Sequence, residues 1–116
     1  MSDASERARR FVELHHGDDL FVMANPPNTG IATMLEQLGY PALGSSSAAL
    51  ARALGRQDGQ RAVTRDEAVG HAVDLAAATS VPISGDLENG YGDSPEDVAL
   101  TAVSYTHLTL PTTPYV

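Results

Sequence analysis

The residues best suited to chemistry in this chain are the two carboxylates of Ser84-Gly85-Asp86-Leu87-Glu88-Asn89-Gly90-Tyr91-Gly92-Asp93. Asp86 and Glu88 stand two residues apart, in a glycine-rich turn that follows an apolar run. Spaced carboxylates beside a glycine-rich turn are how a site for a metal ion looks in sequence. The ordinary alternative is an acidic turn leading into a helix N-terminus, where negative charge meets the helix dipole. A second candidate is Ser45-Ser46-Ser47 ahead of the alanine-rich stretch Ala48 to Leu54. Small hydroxyl residues between a strand and a helix leave backbone N–H groups open to an anion. The plainer reading is that one of the serines caps the helix. Asp58, followed by Gly59 in a polar loop, suits a turn by itself.

The elements that would position these residues can be read from periodicity. Val81-Pro82-Ile83-Ser84 is short and β-branched and reads as a buried parallel strand, which puts Asp86 at its C-terminal end. In open α/β sheets and β/α barrels, ligands bind at that end. Leu20-Phe21-Val22-Met23-Ala24 and Pro41-Ala42-Leu43-Gly44-Ser45 read as two earlier strands, the first ended by Asn25-Pro26-Pro27-Asn28. Ala8, Phe11, Val12 and His15 predict an amphipathic helix over residues 4–16, closed by Gly17. Ile31, Met34, Leu35 and Leu38 predict another from Thr29 to Leu38, stopped at Gly39. Thr64-Arg65-Asp66-Glu67 fits a capping box for a helix reaching about Thr79, with Ala68, Val69, Ala72, Val73 and Ala76 as its buried stripe. His71 beside that stripe reads as a structural histidine, either exposed or satisfied by a partner. Ser94-Pro95-Glu96-Asp97 starts a further helix through a serine cap, a first-turn proline and two acids on the dipole.

A leading helix and three strand-to-helix units predict an α/β fold with a parallel sheet and right-handed crossovers. On pattern alone a doubly wound sheet and a barrel both remain open. The formal net charge is −8, from fifteen acids against seven arginines and no lysine. No cationic face is available for phosphate backbones, so nucleic acid is not expected as a partner. The eight acids beyond Arg65 have no arginine or lysine in that part of the chain, and a dication would relieve their repulsion. Without cysteine there is no disulfide framework and no thiolate chemistry. No stretch approaches the ~20 apolar residues of a membrane span, and no signal sequence opens the chain, so a cytoplasmic protein is expected.

Composition changes near residue 100. From Leu100 to Val116 there is no charged side chain, yet the segment holds five of the nine threonines and two of the four tyrosines. Val103 to Thr112 resembles one reading frame of a transposon-end adapter used in preparing sequencing libraries. Residues 1–102 are therefore read as native and 103–116 as a non-native tail that leaves the helix begun at Ser94 unfinished. On that reading Ser104 and His107 carry no catalytic weight. A threonine-rich strand is the alternative.

Taken together, Met34 to Leu43, the serines after it, Gly55 with Asp58, Thr64 to Glu67 and Asp86 to Asp93 resemble the isocitrate lyase and phosphoenolpyruvate mutase superfamily. The match is ordered over roughly residues 8 to 102, and its flavour is that of the 2-methylisocitrate lyase and phosphonomutase-like branch. The resemblance implies a Mg²⁺-dependent TIM-type (β/α)8 barrel of which this chain is the N-terminal part, about three β/α units out of a fold of roughly 250 residues. It implies Asp86 as the principal metal carboxylate, with Glu88 and Asp58 completing the shell largely through water, and it places Asp58 among the catalytic residues. Glu88 stands where many relatives carry aspartate. Ser46, Ser47 and Ala48 match positions that grip the substrate, although relatives nearest the mutases have glycine at the position of Ser47. The implied reaction cleaves a carbon–carbon bond, or rearranges a carbon–phosphorus one, in a small α-keto or α-hydroxy carboxylate or phosphonate through an enolate that Mg²⁺ stabilises as a Lewis acid. Methylisocitrate lyase-like cleavage is favoured over mutase or decarboxylase activity, and the full-length protein is expected to be a homo-oligomer. The competing expectation is a complete small α/β module that binds an anion at Ser45 to Ala48. An unfinished barrel should expose its strand edges and aggregate, whereas a complete module should bury them.

Overall fold

The computed structural model describes residues 4–59 and 61–109. In chain order the elements are α1 (Ala4–His16), α2 (Thr29–Gln37), β1 (Leu43–Gly44), α3 (Ser47–Ala53), α4 (Arg65–Ala78), β2 (Ile83–Ser84) and α5 (Pro95–Thr109). The two strands run parallel, with Leu43 opposite Ile83 and Gly44 opposite Ser84. Ala24 joins Leu43 by a parallel bridge, so three parallel tracks lie in the order Ala24, β1, β2. Each track leads into a helix. This is the mixed α/β arrangement expected from the sequence, and the described residues form no closed barrel.

The tracks are shorter than periodicity predicts. The expected strand Leu20 to Ala24 is hydrogen-bonded only at Ala24, and Leu20 and Val22 are 95 % and 61 % exposed. A strand with a partner on one side only has half the ladder to hold it. The third run is also less buried than expected: Val81 and Pro82 are buried, but Ile83 and Ser84 are only half-buried.

Helix α4 is the central prop, packing on α2, α3, β2 and α5. Its start is the capping box read from the sequence: the Thr64 side chain accepts from Glu67 N–H, and Glu67 reaches back to the Thr64 N–H. Its buried face is Ala68, Val69, Ala72 and Leu75. Leu75 takes the place expected for Val73 and Ala76, which are half-buried. Small residues let the neighbouring helix and strand approach closely, and Leu75 fills the space left over. His71 is neither exposed nor satisfied; it is half-buried, and its Nε2 has no hydrogen-bond partner among the described residues.

Two other helices pack differently from their apolar stripes. α1 buries no residue fully, and its half-buried side is Ala4, Arg7, Arg10, Phe11 and Leu14. A cation anchors it: Arg7 donates from Nη1 to the carbonyl of Ala76 at 2.8 Å and from Nη2 to that of Thr79 at 2.7 Å. These are the carbonyls that a helix C-terminus leaves unpaired, and a positive charge there opposes the dipole favourably. In α2 the predicted stripe is largely outside, with Met34 and Leu38 being 56 % and 75 % exposed, while Ala32 is buried. Leaving a leucine that exposed forgoes much of the roughly 1.5–3 kcal/mol available from its burial.

Two apolar clusters result. Ala32, Leu43, Leu75 and Val81 form one, beneath the strands. Leu50, Ala51, Val63 and Ala68 form the other, with Leu87 and Tyr91 of the acidic turn packed on it. α5 runs on through Thr109, across the boundary at residue 102 where the sequence suggested an unfinished helix, and the described part of the tail is helical and not a strand. Residues 110–116 lie outside the described residues.

Candidate functional site

The acidic turn is held from below and from beside. Leu87 and Tyr91, alternating with Asp86 and Glu88, sit against the cluster between α3 and α4. Gly90 N–H donates to Leu87 O at 2.8 Å, and Gly90 has φ +89° with Val98 so close that a Cβ would stand 2.8 Å from its Cγ2. Glu88 and Tyr91 also take positive φ, 49° and 62°. Two non-glycine residues in the left-handed region within one short turn are strain, and such strain persists only where the surroundings over-determine it. Here Thr101 and Arg65 supply that. The buried Thr101 hydroxyl donates to Gly90 O and accepts from Arg65 Nε at 2.6 Å, and Arg65 Nη2 reaches Tyr91 O at 3.3 Å.

Asp86 is stitched to the serine stretch in both directions. Its backbone N–H donates to Ser45 Oγ at 2.8 Å, and its Oδ2 accepts from Ser47 N–H at 2.9 Å. Its Oδ1 accepts from Glu88 N–H at 3.1 Å. Partial burial pushes the Asp86 carboxyl up, but the Ser47 and Glu88 N–H groups and the Ser47 side chain outweigh it and hold it below the ordinary carboxylate value. Asp86 is therefore an anion at neutral pH. Tyr91 is its counterpart: burial first, then the charges of Glu88, Asp86 and Glu67, push its phenol up to about 12. Its hydroxyl is buried without a hydrogen-bond partner among the described residues.

The sequence-predicted residues are thus brought together in part. Asp86, Glu88, Ser46, Ser47 and Ala48 converge where β2 ends and α3 begins. Ser46 is the N-cap of α3, its side chain accepting from Ala49 N–H, as the plainer reading expected. Ser47 N–H is not open to an outside anion, because Asp86 already occupies it. Asp58 lies exposed in the loop after α3. Among the described residues no three His, Cys, Asp or Glu side chains gather into a group that could hold a metal ion. Asp86 keeps lone pairs beyond the two N–H groups it accepts, and Glu88, two residues on, adds a second hard-oxygen donor of the kind Mg²⁺ uses while retaining water. The oxygen donors of Asp86 and Glu88 are of the type that ion takes.

Sequence reasoning missed three supports. Ser45 belonged to the serine run, and only its contact with Asp86 distinguishes it. Arg65 sat inside a capping box that explained it already. Thr101 bonds locally only to Asp97 O, as a helical threonine can, and its partners in the turn and in α4 are 11 and 36 residues away.

The chain is similar to known proteins in sequence and in fold. The sequence model for phosphoenolpyruvate phosphomutase matches residues 11–109. A Burkholderia cenocepacia protein provisionally named a lyase/mutase superposes with a TM-score of 0.84 at 36 % identity, covering 90 % of this chain and 37 % of its own. A second protein of that organism, provisionally named a phosphonomutase, gives 0.82 at 30 % identity, covering 90 % and 42 %. An uncharacterized Mycobacterium tuberculosis protein is 34 % identical over 89 residues, which is 77 % of this chain and 34 % of the relative. The chain thus spans about a third of the length of its relatives and matches the N-terminal part of their TIM-barrel fold. No helix among the described residues is long and apolar enough to cross a membrane.

Proposed function

Since the chain belongs to the phosphoenolpyruvate phosphomutase family, within the superfamily of phosphoenolpyruvate mutases and isocitrate lyases, we propose that it is part of a Mg²⁺-dependent lyase or phosphonomutase. The substrate is a small α-keto or α-hydroxy carboxylate, and carbon–carbon cleavage of the 2-methylisocitrate lyase kind is favoured. The observation that carries this reading is Asp86. It is ionised, lies just beyond the C-terminal end of β2, and is clamped to the N-terminus of α3 by Ser47 N–H.

Asp86 and Glu88 would hold Mg²⁺, which when bound supplies Lewis acidity toward a developing enolate oxygen. The chain's own residues do the rest. Ser47 N–H and Glu88 N–H fix the Asp86 carboxylate in one orientation while Ser45 Oγ holds its backbone N–H, so the carboxylate loses little freedom when it takes up a ligand. Ser46, Ser47 and Ala48, at the head of α3, place polar groups beside that carboxylate for the substrate's acid end. Tyr91 stays protonated, close to the acids, and keeps an uncommitted hydroxyl near the turn. Asp58 enters as catalytic carboxylate and third metal residue through the family pattern alone.

The test is turnover of α-hydroxy carboxylates by the protein from the uninterrupted coding sequence, with Mg²⁺ and with chelator, in wild type and Asp86→Ala. Metal-dependent turnover should fall by about 100-fold or more in the variant, a loss of roughly 2.7 kcal/mol in transition-state stabilisation. Full activity in Asp86→Ala overturns the metal assignment.

A further inference from the structure

The acidic turn is pinned at its two ends by different parts of the chain. Its front is tied to the serine stretch, where Asp86 N–H donates to Ser45 Oγ and Asp86 Oδ2 accepts from Ser47 N–H. Its rear is tied to two helices. The Thr101 hydroxyl of α5 donates to Gly90 O and accepts at 2.6 Å from Arg65 Nε, at the start of α4. Arg65 Nη2 adds contacts to Tyr91 O at 3.3 Å and to Asp97 O at 3.4 Å. Among the described residues Arg65 makes no ion pair, so its guanidinium is committed to this relay of one hydroxyl and backbone carbonyls. Thr101 is 1 % exposed, which leaves water no room to stand in for its hydroxyl. Both residues lie within 1–102, on successive helices that pack together as neighbouring units of a barrel do.

Glu88 stands between the two anchors. Its N–H is held by Asp86 Oδ1, but its side chain is exposed, and the direction in which that side chain leaves the turn follows the backbone. The backbone there takes φ 49° at Glu88, 89° at Gly90 and 62° at Tyr91. Residues other than glycine leave that region unless they are held in it. The front anchor reaches no further than Glu88 N–H, so the holding falls to the rear.

We infer that Arg65 and Thr101 are positioning residues for the metal turn: acting through the carbonyls of Gly90 and Tyr91, they keep the left-handed backbone that presents the Glu88 carboxylate to Mg²⁺. The inference rests on the proposed role of Asp86 and Glu88 toward that ion, and it divides their support. Ser45 and Ser47 orient Asp86, whereas Arg65 and Thr101 orient Glu88. Loss of the relay should weaken metal binding without abolishing it, because Asp86 stays held.

The test uses the protein from the uninterrupted coding sequence. Calorimetric titration with Mg²⁺ alone gives the affinity, and amide exchange of Gly90, whose N–H donates to Leu87 O, is followed in the metal-free protein. Thr101→Val keeps the side chain's shape and removes its hydroxyl. It should weaken Mg²⁺ binding by about 10-fold or more and speed exchange at Gly90 by a similar factor. Thr101→Ser retains the hydroxyl and should stay within about threefold of wild type in both. The Mg²⁺ concentration for half-maximal turnover should rise in Thr101→Val far more than kcat at saturating Mg²⁺ falls, a split that general loss of fold does not produce. Arg65→Lys keeps the charge without the planar fork and should resemble Thr101→Val, which covers the case in which the valine variant does not fold. Unchanged affinity in Thr101→Val, unchanged exchange at Gly90, or a Thr101→Ser as weak as Thr101→Val would each overturn this inference alone. A wild type that takes up no Mg²⁺ overturns the proposed function and this inference together.

Discussion

Ser47 donates its backbone N–H to a carboxylate oxygen of Asp86 at 2.9 Å, although 39 residues separate them. One is the first residue of a helix and the other follows a strand, and they meet because β1 and β2 are adjacent and parallel. The negative charge that satisfies the head of α3 is therefore internal. A ligand at this site meets a carboxylate already oriented by its own fold.

Replacing that carboxylate should show in stability as a function of pH. The Asp86 group is held below its ordinary value, so its contribution is fully present above the ordinary aspartate range near pH 4 and is lost as pH falls through the folded value. Asp86→Asn should cost about 1 kcal/mol at neutral pH, after discounting for its solvent exposure, and should flatten the acid limb below about pH 4. Urea midpoints measured between pH 7 and pH 2.5 check both; an unchanged acid limb counts against the clamp.

Glu67 should behave similarly but with strong dependence on salt. The Arg56 side chain at 2.7 Å, then the Thr64 N–H, lower its carboxyl to about 2. Stability from this group is present above its ordinary value of 4.5 and disappears as pH falls toward 2. In Glu67→Gln the thermal midpoint should change less between pH 5 and pH 2 than in wild type. Because the pair is exposed, the difference should shrink at high salt.

Two glycines should respond to alanine with opposite signs. Gly90 has φ +89° and no room beside Val98, so Gly90→Ala should destabilise by about 1–3 kcal/mol. Gly70 lies within α4 and a Cβ there meets nothing within 4 Å, so Gly70→Ala should stabilise by up to about 1 kcal/mol. Equilibrium denaturation of the two variants is sufficient; the same sign for both contradicts the backbone argument.

His71 predicts a second, milder pH effect. Burial lowers its ring, only partly offset by Asp74, so the folded chain favours the neutral form. Its contribution is complete above the ordinary histidine value near 6.5 and falls as pH drops through it. Thermal midpoints at pH 7.5 and pH 5.5 should differ less in His71→Gln than in wild type.

Much of this fold was legible beforehand because its signals are local. The capping box at Thr64, the serine cap with Pro95 and the stop at Gly39 act within a few residues, so the helix starts stand where the sequence puts them. Burial was less legible. The stripe of α2 was predicted inward, yet Met34 and Leu38 are exposed, because a periodic face says that a cover is wanted and not that a neighbour supplies one. Asp58 is exposed in the loop after α3, and its place at the site rests on the family pattern, which no local signal in the chain supplies.

Determined by the sequence alone were the order of strands and helices, the acidic turn after the third strand, and the exclusion of thiolate chemistry that follows from the absence of cysteine. Each depends on residue type and on contacts a few positions apart. Tertiary structure decided which groups meet: Ser47 with Asp86, Thr101 with Gly90 and Arg65, Tyr105 with Ile83. Those pairs are 39, 11, 36 and 22 residues apart. Their distances depend on sheet order and on how α5 returns across the turn, and no local propensity encodes either. The carboxylate's chemistry was written in the chain; its orientation and its neighbours came from packing.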